Sequence, residues 1–564
     1  MDKFSFYKIK WLSVAIFMFS TIGLTTQTPV EIVLHNAAQG PRVKPVMGWN
    51  SFYPFGCGKH VKIKGLKWQA DLMAQKGFIK AGYTTFIIEC GWEAGSTHIP
   101  FAPHYDLIYK HRVLGNYAHF REDFRGRQLR LGFGTWAGPQ ICPRYEGENS
   151  HAKSKKNLQA YMHVLFKALG ATYISHRPCD WAKPEILQNP DSANQVNSRY
   201  IEMESELAKT GSRNEIFYAT GQWGASPSAK DTKANSWRIA DDTLDNWNSF
   251  IRTLNALYPY SLSNKGPYND LGFLQFGENK LTMAEKRTQF CFWAAAKSPL
   301  IISTDISRLS QEEIELLTNP RAIAINQDNL GKSITLNRRY PADMDIWSGP
   351  LSDGSTVAII INWSDDSSQK TIQLEDLGFS SAHVVDVLTQ KDRGIINKTL
   401  ITTIDKHGCL LIKLTETRPA LKRNFQDFPV EVAEIKGSAT IKLTSQGVKV
   451  AGNLMPDGKS GVRWSKIPGS KNGPTLVRLS YINADLSPGN MDDSKLNFKH
   501  TAFIINNSAP YYADLPITGL TWDDMAEGFL VALPLKPGEN TIFIQGEAGQ
   551  YAPDFHKLSV EKTE

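Results

Sequence analysis

TTFIIE, residues 84–89, is a short apolar, β-branched run that reads as a buried strand. Outward from it the same texture returns in RLGFGTW (130–136), ATYISH (171–176), IFYATG (216–221), SWRIADD (236–242) and PLIIST (299–304). Helical stretches fall between these runs. In KGLKWQADLMAQKGFIKAG (64–82), Leu66, Ala70, Met73, Ala74 and Phe78 share one face. NLQAYMHVLFKALG (157–170) ends on Gly170, a C-terminal helix stop. Strand–helix alternation from about residue 45 to about 330 predicts an α/β fold, a (β/α)8 TIM barrel. A doubly wound open sheet competes with it, weakened because no GxGxxG follows the first strand.

The 564 residues exceed one ordinary core, and 41% hydrophobic with 21% charged residues suits a folded globular chain. Residues 1–27 read as a signal peptide: Lys3, Lys8 and Lys10 precede an apolar run from Trp11 to Leu24, and small and polar residues follow from Thr25 to Thr28. The run falls short of the ~20 apolar residues of a membrane span, so the expectation is a secreted protein with no membrane attachment once the signal is removed. An uncleaved signal anchor is the alternative. A formal charge of +7 is mild for this length, and no dense Lys/Arg stripe speaks for nucleic acid. Of six cysteines, Cys291 in QFCFWAAA and Cys409 in CLLIKL read as buried thiols. Cys57, Cys90, Cys142 and Cys179 remain for two bridges; none has C-x-x-C spacing, and neither a metal nor a cofactor is expected.

The barrel is placed at residues 28–332. From 333 to 420 short alternating strands such as STVAIIINW and CLLIKLT, with turns at SDG and KHG, predict an antiparallel β-domain. Residues 425–564 read as a β-sandwich, with LVRLSYINAD, TAFIINN and NTIFIQG as strands. Asn362, Asn397 and Asn506 each open an N-x-S/T sequon.

Several stretches carry a family resemblance. MGWNSF (47–52), AGYTTFIIECGW (81–92), LRLGFGTWAGPQIC (129–142), NSWRIADD (235–242), FCFWAAAKSPLIISTDI (290–306) and AIAINQDNLG (322–331) stand in the order of the α-galactosidases of glycoside hydrolase family twenty-seven, and DIWSGPLSDGSTVAIIINWSD (345–365) resembles the start of their C-terminal β-domain. The last unit resembles carbohydrate-binding modules through SYINAD, LPITGLTW and PDFHKLSV. The resemblance implies a barrel with an antiparallel β-domain, a glycan partner, and hydrolysis of terminal α-galactosides without a cofactor. Retaining hydrolysis needs a nucleophile and an acid/base carboxylate ~5–5.5 Å apart at the C-terminal strand ends.

Carried over by motif, the acid/base position is Asp242, Arg238 holds the sugar and this acid, and Trp49 is a wall of the pocket. The nucleophile position, in SHRPC (175–179), holds Arg177, a permanent cation that cannot attack an anomeric carbon. The neighbouring lysine of the family is Ser175. Its paired aspartates are Glu89 and Cys90, the second aspartate of its N-D-P-D is Gly272, its third-strand tyrosine is Gly134, and Gln222 holds a variable position. The resemblance also implies a Cys142–Cys179 bridge and pairs Cys57 with Cys90, one place before the usual partner, where this chain has Gly91. Arg177 is expected to pair with Asp242, or with Glu89. Glu89, Asp180 or Asp241 is the carboxylate an inverting mechanism would draw on. Trp464, Tyr511, Tyr512 and Trp522 are stacking candidates in the last unit, with packing between sheets as the alternative for the two tryptophans. Two functions follow: hydrolysis of α-D-galactosyl or related O-glycosidic bonds, or glycan binding without catalysis.

Overall fold

The computed structural model describes residues 43–56, 61–89, 114–136, 164–177, 190–210, 215–221, 233–240, 242–261, 267–485 and 496–562. Eight short strands make one parallel sheet: β1 (Met47–Asn50), β2 (Thr85–Ile88), β3 (Arg130–Trp136), β4 (Tyr173–Arg177), β5 (Phe217–Gly221), β6 (Ser236–Arg238), β7 (Tyr268–Asp270) and β8 (Leu300–Ile302). Their order is β7-β6-β5-β4-β3-β2-β1-β8. The ring is completed just beyond β7, where Leu274 bridges Ile302 in parallel and donates its N–H to the Ile301 carbonyl at 2.9 Å. This is the expected barrel.

Alternation along each strand sorts the apolar side chains into two layers. Val46, Ile87, Tyr173, Phe217, Ala219, Phe273 and Ile301 form one buried cluster inside the barrel, with Phe52 packed against it. Phe86, Ile88, Leu131, Phe133, Ile174 and Tyr218 face outward into the helix layer. Each large side chain so buried contributes about 1.5–3 kcal/mol.

Helix α1 (Ile63–Gln75) buries Leu66, Gln69, Ala70, Leu72 and Met73. Ala74, expected on that face, is exposed. The stripe is turned toward Gln69, whose amide donates to Asp305 Oδ1 at 2.7 Å and accepts from the Ile306 N–H at 2.9 Å, so Ala74 falls beyond its edge. Phe78 is buried past the helix end. Of the helix expected over 157–170, the described part, Val164–Ala168, is a π-helical turn, and Gly170 follows it at φ 65°. Further helices are α2 (Tyr117–Gly126), α3 (Pro190–Lys209), α4 (Trp247–Ser261) and α5 (Met283–Ala295).

From Thr335 to Pro419 the chain is antiparallel, a six-stranded and a two-stranded sheet around Ile346, Ile360, Leu374, Val384 and Ile412. From Phe425 to Glu561 two further antiparallel sheets, of six and five strands, face each other. Trp464 is fully buried between them, its indole N–H donating to the Pro429 carbonyl at 3.2 Å, so for Trp464 packing is the reading that holds. Trp522 is half exposed, Tyr512 exposed and Tyr511 partly buried.

Arg339 ties the three parts together. Its Nε and Nη2 bond Asp345 of the β-domain at 2.9 and 2.8 Å, Nη2 reaches Asn255 Oδ1 on α4 at 2.9 Å, and Nη1 donates to the Asp514 carbonyl of the last unit at 3.3 Å. Asn255 in turn donates to the Leu496 carbonyl at 2.7 Å, and Asn497 to the Arg252 carbonyl at 3.2 Å.

The sequons differ in access. Asn362 is fully buried, and its Nδ2 donates to the carbonyls of Asp366, Ile404 and Asp405 at 2.9–3.0 Å. Asn506 is engaged with Asn540 and the Thr541 N–H. Asn397 is exposed. Cys291 and Cys409 are unbridged thiols in contact with each other, Cys291 buried and Cys409 partly so. Cys57, Cys90, Cys142 and Cys179 lie outside the described residues.

Candidate active site

Barrel strands deliver their last residues to one mouth, and the polar groups there form two ion-pair systems. At the end of β6, Arg238 is almost fully buried. Its Nη1 donates to Asp242 Oδ1 at 2.9 Å, and its Nε lies 3.3 Å from Asp270 Oδ2 at the end of β7. Burial works against the Arg238 charge, but Asp270 and then Asp242 more than offset it and hold the guanidinium above its ordinary value. Asp270 also accepts from the Gly272 N–H at 2.9 Å. The Asp242 side chain keeps 18% of its surface, and those of Arg238 and Asp270 keep 2% and 8%.

At the end of β4, the Arg177 side chain is 7% exposed, and that of Glu89, just past β2, is 1% exposed. Arg177 Nε donates to Ser175 Oγ at 2.9 Å and lies 3.2 Å from Glu89 Oε1. The N–H is spent on Ser175, so the Glu89 contact is Coulombic. The second Glu89 oxygen accepts from Asn50 Nδ2 at 2.5 Å. Of the two pairings expected for Arg177, the structure holds the one with Glu89, while Asp242 pairs with Arg238. A Cβ on Gly221 would stand 2.6 Å from Arg177 Cγ, so the arginine stem lies flat across the end of β5 because that position is glycine.

Between the two guanidiniums stands Phe273, its ring centroid 5.5 Å from Arg177 Cζ and 5.0 Å from Arg238 Cζ. Phe52 and Tyr53 pack on it at 6.2 and 5.9 Å. Asn50, Phe52, Tyr53, Asp270 and Phe273 escaped the motif comparison. NDLGF held a signal for the last two, since it closes a strand at the same level as SHR and SWR.

Trp49 is a correction. It is fully buried, stacked on Phe86 at 4.5 Å and edge-on to Phe55 at 6.0 Å, and its indole N–H donates to the Thr304 carbonyl at 2.8 Å. Asn50 sends its side chain to Glu89 at the mouth, so Trp49, one residue earlier on β1, points into the helix layer. It has no surface left to offer a sugar. The aromatic of MGWNSF on the inner side is Phe52.

Ser175 is buried against Arg177. Gly272 sits at φ 101° with Arg238 Nη1 3.3 Å from where its Cβ would be. A Cβ on Gly134 would fall inside contact distance of the Glu89 carbonyl oxygen. Cys90, Gln222, Asp180 and Asp241 lie outside the described residues. Among the described residues no cluster of three or more His, Cys, Asp or Glu is placed to hold a metal ion, and no helix is long and apolar enough to cross a membrane.

His176 lies between Ser175 and Arg177 but faces away from the mouth, its Nδ1 2.8 Å from Thr135 Oγ1 and its ring edge-on to Tyr200. Burial, then the charge of Arg199, push its pKa down from 6.5 to about 3. The unfolded chain therefore takes up a proton near pH 6.5 that the folded one refuses until near pH 3. Stability present above pH 6.5 is lost as the pH falls through that window. Between pH 6.5 and 5 the loss from this group is expected to be about 2 kcal/mol, and a His176→Gln variant should lack that part of the slope in denaturant unfolding.

With this geometry in place, the comparisons with known proteins settle the family. A family model described as Alpha galactosidase A matches residues 44–328, and one described as Alpha galactosidase C-terminal beta sandwich domain matches residues 341–414. The chain belongs to the α-galactosidase A family.

Among individual relatives, the probable α-galactosidase D of Aspergillus fumigatus is 29% identical over 406 residues, covering 67% of this chain and 58% of the relative. The α-galactosidase D of Emericella nidulans is 28% identical over 398 residues, covering 66% and 56%. The chain thus spans less than two thirds of the length of these curated relatives. Of solved structures, α-galactosidase I from Mortierella vinacea superposes with a TM-score of 0.58 at 22% identity, covering 68% of this chain and all of that one. A β-L-arabinopyranosidase from Geobacillus stearothermophilus gives 0.55 at 18% identity, covering 68% and 98%. Both likenesses are likenesses of fold.

Proposed function

We propose that this chain is a carbohydrate-active protein that takes a terminal sugar of galactose-like type at the barrel mouth and holds it without covalent capture. The observation that carries the reading is the Arg177–Glu89 pair: the nucleophile's place, by motif, is filled by a buried cation engaged with a carboxylate 3.2 Å away. Attack on an anomeric carbon needs an oxygen anion there, and a guanidinium cannot supply one. Glu89 and Asp270 do not replace it, since Glu89 is held by Asn50 and Arg177, and Asp270 by Arg238 and the Gly272 N–H. Asp242 keeps exposed surface and an arginine partner, which suits a carboxylate that accepts a hydrogen bond from a sugar hydroxyl. Relatives named for α-galactosidase and β-L-arabinopyranosidase activity define the sugars to try first. Export of the chain by the leader at residues 1–27 belongs to the same proposal.

The test pairs turnover with binding. Aryl α-galactosides, aryl β-L-arabinopyranosides and raffinose are offered to the full chain and to Asp242→Asn, with intact-mass detection of any glycosyl adduct and calorimetric titration of binding. The expected result is saturable binding of at least one sugar with neither release nor adduct. Hydrolysis that disappears in Asp242→Asn would overturn the reading in favour of a hydrolase. No binding by any sugar would overturn it altogether.

A further inference from the structure

Resting on that proposed sugar site, we propose that Tyr53 is the stacking wall of a pyranose subsite whose polar end is the Asp242 carboxylate. Tyr53 follows β1 in a single helical turn, Phe52–Phe55, and is one of the exposed large side chains of the chain at 37%. The hydroxyl donates to the Thr243 carbonyl at 2.6 Å, and burial, then the nearby Asp242 charge, push its pKa well above the ordinary tyrosine range. Its N–H is fixed as well, donating to Ser303 Oγ at 3.0 Å.

The ring is therefore pinned at both ends, edge-on to Phe273 at 5.9 Å and to Phe52 at 5.1 Å. The carbonyl that receives it belongs to the residue after Asp242. Gln275 Nε2 donates to the same carbonyl at 2.7 Å, so the Asp242–Thr243 segment is held from two sides.

A rigid aromatic surface beside an accessible carboxylate is the chemistry that receives a pyranose. The apolar C–H face of the sugar lies on the ring, and its hydroxyls turn to the acid. A flexible or fully buried ring offers neither. Phe273 and Trp49 are buried, and Phe52 is packed against the barrel interior, which leaves Tyr53 as the exposed aromatic among these four. Asp242 supplies an acceptor, so hydroxyl-bearing neutral sugars are the ligand class.

The experiment titrates the full-length wild type, Tyr53→Ala and Tyr53→Phe with raffinose and methyl α-galactoside, following heat and the tyrosine absorbance band. Tyr53→Phe keeps the ring and loses the bond to the Thr243 carbonyl, so it separates stacking from support of the Asp242 segment. Circular dichroism and a melting curve establish that each variant is folded. The expected result is a loss of affinity of about tenfold or more in Tyr53→Ala, a change of less than about threefold in Tyr53→Phe, and a tyrosine band perturbed by ligand in the wild type. The tenfold figure is the loss of an aromatic contact converted at about 1.4 kcal/mol per tenfold. Sugar binding that is unchanged in Tyr53→Ala overturns the wall and leaves the sugar site standing. An equal loss in Tyr53→Phe also overturns it, because the residue then acts only through the Thr243 carbonyl. Failure of every sugar to bind the wild type removes both proposals together.

Discussion

Arg177→Ala is expected to destabilise the fold by about 3–5 kcal/mol, the usual cost of stripping one partner from a buried ion pair. The reason lies in what remains. The Glu89 side chain is 1% exposed, and without the guanidinium its charge keeps, among the described residues, the amide of Asn50 as its side-chain partner. Glu89→Gln in the same background removes that stranded charge, so the double variant should be more stable than Arg177→Ala alone. Denaturant unfolding of the four members of the cycle, followed by tryptophan fluorescence, reads the coupling directly. An Arg177→Ala chain within about 1 kcal/mol of the wild type would show that Glu89 does not depend on Arg177.

The second large effect concerns restoring the family's residues. Gly272→Asp would return the carboxylate that the motif comparison finds missing, and it is expected to cost about 3–5 kcal/mol, the sum of backbone strain and overpacking. Gly272 adopts φ 101°, which a residue with a Cβ occupies only under strain, and that Cβ would run into Thr243 Oγ1 with Arg238 Nη1 3.3 Å away. The new charge would also join Asp270 and Asp242 around a single arginine. Melting temperature and soluble yield measure the outcome, and a variant as stable as the wild type contradicts this account. The same logic holds at Gly134, where any side chain would meet the Glu89 carbonyl oxygen. Gly221 makes room for Arg177, Gly134 for the Glu89 backbone and Gly272 for Thr243 and Arg238, so a single reversion to a larger residue meets space already filled.

Much of this was legible in the sequence because buried parallel strands announce themselves. TTFIIE and PLIIST each became a barrel strand, and SHRPC and NSWR put Arg177 and Arg238 at the last positions of their strands, with Ser175 two residues back on the first. Charge alone offered Arg177 two carboxylates, Asp242 and Glu89, and only the fold, which gives Asp242 to Arg238, selects Glu89. What escaped was orientation. Which face of MGWNSF looks inward depends on a one-residue choice, and a large aromatic attracts the wrong answer; Trp49 went to the helix layer and Phe52 to the interior. Tyr53 escaped because the carbonyl that fixes its hydroxyl, that of Thr243, lies 190 positions away. Ala74 escaped because Gln69, a polar residue that no hydrophobic pattern counts, turned its helix.

The junction at Arg339 bears on how the last unit can act. A recognition unit on a slack tether samples many separations from its partner domain and gains its effect by raising local concentration. Here one guanidinium is shared among barrel helix, β-domain and sandwich, and backbone carbonyls on both sides of the seam are taken up by asparagines. Whatever surface the sandwich offers is carried at a single set distance and angle from the mouth, like a second jaw of one tool. Were that surface to take a glycan, a ligand would have to span this one separation to engage the mouth as well, and a shorter one would meet a single end.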